Sequence, residues 1–416
     1  MMHRSLIILL FVLTAAIIAV MTTQQGCSCQ HPGATTVVED TVNNIPIDTA
    51  LRARLETFAA SPRPQGQFAL HVFDLTANKP VYGFQETLAL PSASCLKLLT
   101  GIAGLKLLGT DYTYRTEILA KGKVAADGTW KGDIAFRAGL HPQLMEADMV
   151  PLAAALRKMG VKKIGGKLIV DLAVTEPVQA ETHWYPWDLT FAKYGLLYKG
   201  APRVVQTLKV VLHGQGIAVA DSQIVKRSVP AGFRPVSTAS LPVDEVIKRM
   251  WKNSSNTQST SLLYTIGSKL GAREQHAAKG VDYLRHFLRD SLALADTALV
   301  IHDGCGLCTH NRLSPEALTT ILRYGYQDKK IRPFLERNLS VAGVDGTLAR
   351  EMSHSKIRGK VRAKTGTLSH PYGISSLAGF CKSSNGHTLA FAIMDSEMSV
   401  LDARVLQNKL CRLLVE

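Results

Sequence analysis

From Cys95 to Leu108 apolar residues recur at helical spacing, and Gly109 supplies a natural stop, so the pattern predicts a buried helix. Just upstream, Phe68–Phe73 reads as a strand, Leu75–Lys79 as a turn and Val81–Phe84 as the returning strand. This hairpin leads through Pro91 into the helix. The clearest β pattern closes the chain. Arg362–Thr367, Ile374–Lys382 and His387–Asp395 read as strands, the last two joined by a turn at Ser384-Asn385-Gly386. Ala403–Leu414 then reads as an amphipathic closing helix.

Between Asp111 and about Leu241 the character changes. Strand-like runs (Asp133–Arg137, Lys167–Leu172, Thr207–Leu212), one helix (Met149–Met159) and several Gly-rich turns predict a separate α+β insertion, residues 111–241. It would interrupt a domain made of 46–110 and 242–416. Val243–Met250 resumes helical spacing, and a helix is expected to run past Asn256 through Leu270. Val281–Leu292 and Pro315–Tyr326 read as further helices.

At the amino end, His3 and Arg4 precede an uncharged run from Leu6 to Met21, longer than most signal-peptide cores and shorter than a spanning helix. Residues 1–26 therefore read as a signal peptide or a membrane anchor, and 27–45 as a tether. The protein is expected to be exported to the periplasm or cell envelope. Cys27 is a candidate lipid-attachment site, although Gln24 stands where such a signal usually has an apolar residue.

The remaining composition narrows the partners. With 46% hydrophobic and 19% charged residues in 416, the chain is globular and large enough for two or three domains. Forty-eight Lys and Arg against 33 Asp and Glu give a net charge of +15, a field that favours anionic surfaces such as membrane lipid or cell-wall polymers. The basic residues are scattered and no nucleic-acid motif is present, so nucleic acid is not an expected partner. Seven cysteines, an odd number, argue against a complete disulfide framework. Cys305-Gly306-Leu307-Cys308 fits a redox pair, a local disulfide or half a zinc site. Without a second pair, both cysteines read as small residues lining a loop. His183, His302 and His310 lack metal-ligand spacing and read as structural or surface residues. No metal or cofactor is expected. Trp184, Tyr185, Trp187, Phe191, Tyr194 and Tyr198 form an aromatic cluster that reads as packing for the insertion rather than a glycan platform.

The chemistry rests on three motifs in order: Ser94-Cys95-Leu96-Lys97, Ser254-Ser255-Asn256 and Lys364-Thr365-Gly366. A hydroxyl three residues before an amine lies one helical turn from it. A serine hydroxyl is a weak nucleophile until a neighbouring base takes its proton. Ser94 also stands at the amino end of the buried helix, where free N–H groups and the helix dipole favour an oxyanion. Ser353-His354-Ser355-Lys356 and Ser383-Ser384-Asn385 fit the same short patterns. Both lie in polar, turn-like segments with no apolar helix behind them.

The ordered trio resembles the Ser-x-x-Lys, Ser-x-Asn and Lys-Thr-Gly signature of penicillin-binding proteins and serine β-lactamases. The long interval from Lys97 to Ser254 is similar to that of the peptidase S13 family, the insertion-bearing D-alanyl-D-alanine carboxypeptidases/endopeptidases. So are Leu108-Gly109-x-Asp111-Tyr112, Trp187-Asp188, Asp303-Gly304-Cys305-Gly306-Leu307, Asn311-Arg312-Leu313-Ser314-Pro315 and Asp345-Gly346-Thr347-Leu348. The resemblance runs from about Pro46 to the end. It implies an α+β transpeptidase-like fold, an antiparallel sheet flanked by helices plus a helical lobe. The substrate would be a peptidoglycan stem peptide, with covalent binding of penicillin and other β-lactams. Ser94 would form the acyl-enzyme and Lys97 accept its proton, its pKa depressed partly by crowding from Lys364. Ser254 and Asn256 would relay a proton and hold the substrate amide. Lys364 and Thr365 would bind the terminal carboxylate, Gly366 would allow close approach, and the N–H groups of Ser94 and Thr367 would form the oxyanion hole.

The chain departs from the family's wording at three places. Ser255 stands where Asp is frequent. Leu140-His141-Pro142 replaces a usual Gly-Asp-Pro, which bears on stem-peptide preference. The segment from Gly214 to Leu241 is abbreviated. Rival readings are a β-lactamase or esterase on the same scaffold, or a wall-binding or β-lactam-sensing protein, the latter prompted by Cys305 and Cys308 where serines are usual.

Overall fold

The computed structural model describes residues 45–63, 65–191 and 193–416. The leader, Cys27 and nearly all of the tether lie outside the described residues. Among those described, no helix is long and apolar enough to cross a membrane.

The fold is α+β, with two six-stranded sheets. The first has the spatial order Ser340–Val341, Val361–Leu368, Ile374–Lys382, Thr388–Ser396, Gln67–Asp74, Lys79–Phe84, and every pairing is antiparallel. Its central strands are buried on both faces, which explains their nearly continuous apolar sequence (Ile374 to Cys381, Leu389 to Met394). On one face pack Thr49–Ala60 and the closing helix Val400–Val415, through Leu51, Leu55, Leu406 and Leu410. The other face meets the helical lobe.

Two largely buried helices form the centre of that lobe. Leu96–Leu108 buries all of its first ten residues, and Asn256–Lys269 is buried from Thr257 to Gly267. Their backbones approach closely because Gly104 faces Leu262, where an added Cβ would sit 3.0 Å from a methyl group. Gly101 likewise makes room for Trp251, whose Nε1 donates to the Lys97 carbonyl at 2.8 Å.

The second sheet comes from the intervening chain, in the order Ile224–Lys226, Leu168–Leu172, Thr129–Ala138, Thr113–Val124, Arg234–Pro242, with the short sixth strand Lys163–Ile164 pairing off this path with Thr129–Ala138. It is mixed, because Glu146–Lys158 and Ala201–Gly214 are helical crossovers between parallel neighbours. The first and last strands of this segment pair, Thr113 opposite Pro242, and Val243 N–H donates to the Tyr112 carbonyl at 2.9 Å.

Two sequence expectations need correction. Thr207–Leu212 is not a strand; it lies inside the Ala201–Gly214 helix. Its β-branched residues suggested a strand, but the buried positions Val204, Thr207, Leu208, Val211 and Leu212 follow a period of 3.6, and Pro202 suits a helix start. The helix expected to run through Asn256 is broken. Val243–Lys252 ends, Ser254 adopts φ +58°, and Ser255 caps a new helix that begins at Asn256. Left-handed backbone at a serine ends the first helix, and the Ser255 hydroxyl accepts from Gln258 N–H to start the second. The Thr113–Val124 and Arg234–Pro242 strands and the Thr49–Ala60 helix were not foreseen.

Candidate active site

Ser94 sits in a single 3₁₀ turn, Ala93–Cys95, that leads directly into the Leu96–Leu108 helix. The turn is clamped from below. Ser376 Oγ donates to the Ser92 carbonyl at 2.7 Å and Cys95 Sγ to the Lys364 carbonyl at 3.2 Å, so the Ser94 turn is held to the Ile374–Lys382 and Val361–Leu368 strands. Gly366 permits this fit, since a Cβ there would lie 2.2 Å from Ser376 Oγ. Here glycine makes room for the Ser94 turn.

Lys97 points back along the helix, and its fully buried amine meets Ser94 Oγ at 2.8 Å, Asn256 Oδ1 at 2.8 Å and the Cys305 carbonyl at 2.5 Å. Three partners satisfy an ammonium's three protons. Burial nevertheless lowers its pKa, because the charged form loses its hydration. Burial is the leading cause at Lys97; crowding between the two amines is felt at Lys364. A neutral amine keeps two N–H groups and a lone pair. The Asn256 and Cys305 oxygens can only accept, so they take the two protons, and the lone pair is left facing the one partner that can donate, Ser94.

Lys364 is also fully buried, and its amine donates to Ser254 Oγ at 2.8 Å and to the Thr365 carbonyl at 2.6 Å. Its pKa falls to about 7, through burial first and the like charge of Lys97 second. It reaches the cleft through Ser254 rather than by projecting into it. The left-handed Ser254 backbone lies in the break between helices. Thr365 Oγ1 donates to Thr347 Oγ1 at 2.8 Å, and Thr367 is exposed on the same strand. Pairing with Ser340–Val341 stops at Ala363, so from Lys364 to Leu368 this strand has an open edge.

The structure thus gathers Ser94, Lys97 and Asn256 in one hydrogen-bonded group and Ser254 with Lys364 in a second, with Thr365, Gly366 and Thr367 on the Lys364 strand. It also supplies participants that sequence reasoning left without a role. Asp303 is buried and organises the loop that presents the Cys305 carbonyl. Its Oδ1 accepts from Cys305 N, Gly306 N and Asn311 Nδ2, and its Oδ2 from Cys308 N and Trp184 Nε1. The Asp303-Gly304-Cys305-Gly306 string was a visible signal, but its contact with Lys97 was not.

The aromatic cluster divides. Tyr194 and Tyr198 are buried, as packing requires. Tyr185 and Trp187 stack at 4.9 Å with the His370 ring edge-on beyond them, and Trp187 is 46% exposed. His141 is half-buried, its Nδ1 accepting from Gln143 N–H at 3.2 Å, and it lines a cavity of about 250 Å³ with Asp148, Glu245, Arg249 and Gln258. Cys305 and Cys308 are free thiols. His183, His302 and His310, scattered in sequence, are brought together beside Glu181 and Cys308.

The depressed Lys364 pKa has a measurable consequence. The unfolded chain holds this proton up to the ordinary lysine range while the folded chain loses it near pH 7, so stability rises with pH above 7. Between pH 7 and 9 the melting temperature is expected to climb, and Lys364→Met to flatten that climb. An equal climb in the variant would show that Lys364 is not the source.

The sequence profile described as the D-Ala-D-Ala carboxypeptidase 3 (S13) family matches residues 51–194 and 197–416. The chain belongs to this family. A D-alanyl-D-alanine carboxypeptidase of Haemophilus influenzae is 22% identical over 403 residues, covering 76% of this chain and 83% of the relative. Crystalline penicillin-binding protein 4 from the same organism superposes with a TM-score of 0.71 at 18% identity, over 86% of this chain and 98% of that one. The same protein complexed with a novel β-lactam gives 0.69 at 19% identity, over 87% and 100%. These likenesses establish the shared fold, and membership of the S13 family makes the chain a serine-type carboxypeptidase hydrolase.

Proposed function

We propose that this S13 carboxypeptidase hydrolyses the terminal D-Ala-D-Ala bond of peptidoglycan stem peptides through an acyl-enzyme on Ser94, and that β-lactams acylate the same oxygen. The observation that carries this reading is the Lys97 amine, whose partners other than Ser94 offer only acceptor oxygens. The peptide adds along the open edge of Val361–Leu368 as an extra strand, which sets its scissile carbonyl over Ser94. Lys97 takes the Ser94 proton as Oγ attacks. The N–H groups of Ser94 and Thr367 receive the oxyanion. Ser254, hydrogen-bonded to Lys364, returns a proton to the leaving D-alanine, and Asn256 holds the substrate amide. Thr365 and the Lys364 charge behind Ser254 attract the terminal carboxylate. Water then releases the shortened peptide. His141, in its cavity beside Gln258, bears on the amino end of the stem peptide. Export to the cell envelope, with membrane association through the amino terminus, is consistent with the +15 charge and the apolar run at Leu6–Met21.

The test is an adduct and a product. Penicillin is expected to add its mass to the proteolytic peptide containing Ser94 and to stay there, and a pentapeptide ending in D-Ala-D-Ala to lose D-alanine. Rapid loss of the adduct without D-alanine release would overturn the proposal in favour of a β-lactamase. A stable adduct without peptide turnover would overturn it in favour of a sensor.

A further inference from the structure

We propose that Glu181, His183, His302 and Cys308 form a zinc site that ties the inserted segment to the loop holding Lys97. One ligand atom from each residue lies within 4.8 Å of all the others. Around a tetrahedral zinc ion, with bonds of about 2.0–2.3 Å, donors stand roughly 3.3–3.8 Å apart, so small side-chain shifts close the shell. The four already converge. Glu181 accepts from His183 N–H at 2.8 Å, its other oxygen lies 2.8 Å from His183 Nδ1 and 3.8 Å from His302 Nδ1, and Cys308 Sγ stands within the same 4.8 Å group.

The donor set selects the ion. One thiolate and one carboxylate carry two negative charges, which balance a divalent cation. Two neutral imidazoles complete a mixed N, S and O shell. Calcium and magnesium prefer oxygen alone, whereas zinc accepts all three donor types in four-coordinate sites. On binding, the Cys308 thiol gives its proton to solvent as its sulfur bonds the ion, and nothing is oxidised or reduced. All four coordination positions are filled by protein, so the site is structural and not hydrolytic.

The outer contacts suit this role. The loop bearing His302 and Cys308 is held before any ion arrives: Asn311 Oδ1 accepts from His302 N–H at 2.7 Å, and Asp303 Oδ2 from Cys308 N–H at 2.8 Å. Such second contacts orient ligands. A cavity of about 330 Å³, with Glu181, Trp184 and His302 on its wall, gives the ion a route from solvent. Trp184 Nε1, one residue from His183, donates to Asp303 Oδ2, so both segments already meet at one carboxylate. Since Asp303 also positions the Cys305 carbonyl that receives Lys97, an ion here would brace the general base from behind.

Sequence spacing hides such a site, because its ligands come in two pairs separated by more than a hundred residues. Its test uses the full chain with Cys27 and Cys29 changed to serine, which removes competing thiols, freed of metal with a chelator and titrated with Co²⁺ and then Zn²⁺. One Co²⁺ per chain is expected, with tetrahedral visible bands and a thiolate-to-cobalt charge-transfer band that zinc bleaches. Cys308→Ser should abolish the charge-transfer band, and His302→Ala should weaken binding by about 100-fold or more. Ser94→Ala should leave both unchanged. Zinc should raise the melting temperature of the parent but not of Cys308→Ser. A cooperative melt checks that each variant is folded, and if Cys308→Ser is not, the His302→Ala titration decides. No charge-transfer band, a band that survives Cys308→Ser, or undiminished binding in His302→Ala would overturn the proposal and leave Glu181 as the hub of a metal-free hydrogen-bond cluster.

Discussion

Ser94→Ala and Lys97→Met are each expected to cut acylation by penicillin and release of D-alanine on the order of 10⁴-fold or more, because nucleophile and base act as a unit. Combining them should cost little beyond either alone. The two substitutions should differ in stability. Ser94 is partly exposed and loses one hydrogen bond to a lysine. Lys97 is fully enclosed, and methionine of similar volume removes the cost of keeping an amine from water. It also strands the Asn256 and Cys305 oxygens without their donor, so the net change should be within about 2 kcal/mol of zero. Stopped-flow labelling with a fluorescent penicillin and a thermal melt separate the two effects. Retention of acylation within tenfold of wild type in Lys97→Met would mean that another group takes the Ser94 proton.

Gly306→Ala should damage the enzyme without touching any reactive atom. Gly306 has φ +79°, and an added Cβ would sit 1.9 Å from the Ala93 carbonyl oxygen. Both atoms are main chain or attached to it, so no side chain can swing aside. Left-handed backbone alone costs an alanine about 1–2 kcal/mol, and relieving the clash should bring the total to roughly 3 kcal/mol or more. Relief requires the Asp303–Gly306 turn and the Ser94 turn to separate, which pulls the Cys305 carbonyl away from Lys97. A lower melting temperature and slower acylation should therefore appear together. A variant that melts like wild type and labels at the wild-type rate would show that this contact is not needed.

The parts of the fold that were legible in the sequence are those whose burial has a simple period. Ile374–Lys382, enclosed on both faces, and the Leu96–Leu108 helix could be read from apolar content and bounding turns. The strand Arg234–Pro242 could not, because it is an edge strand with prolines at residues 235 and 242 and polar residues interspersed among small apolar ones. Thr207–Leu212 misled because β-branched residues suit strands locally while tertiary packing decided for a helix. At the site, the three motifs singled out side chains that the structure brings close together. They could not show the break at Ser254, which depends on one left-handed residue, nor the Cys305 carbonyl, because a backbone oxygen has no letter in the sequence. The meeting of Glu181 and His183 with His302 and Cys308 was invisible for a related reason: it exists only once the inserted segment has folded back on the Asp303 loop.

The pairing of Thr113 with Pro242 and the bond from Val243 to Tyr112 bring the two ends of a long excursion to the same spot. To the helices on either side, the whole intervening stretch is no more disruptive than a tight turn. The joint alone would admit a stretch of almost any length, but a second tie, from Trp184 to Asp303, holds part of the excursion in place. Evolution can therefore lengthen or trim the portions that touch neither tie, whereas changes near Trp184 would be felt through Asp303 at Lys97.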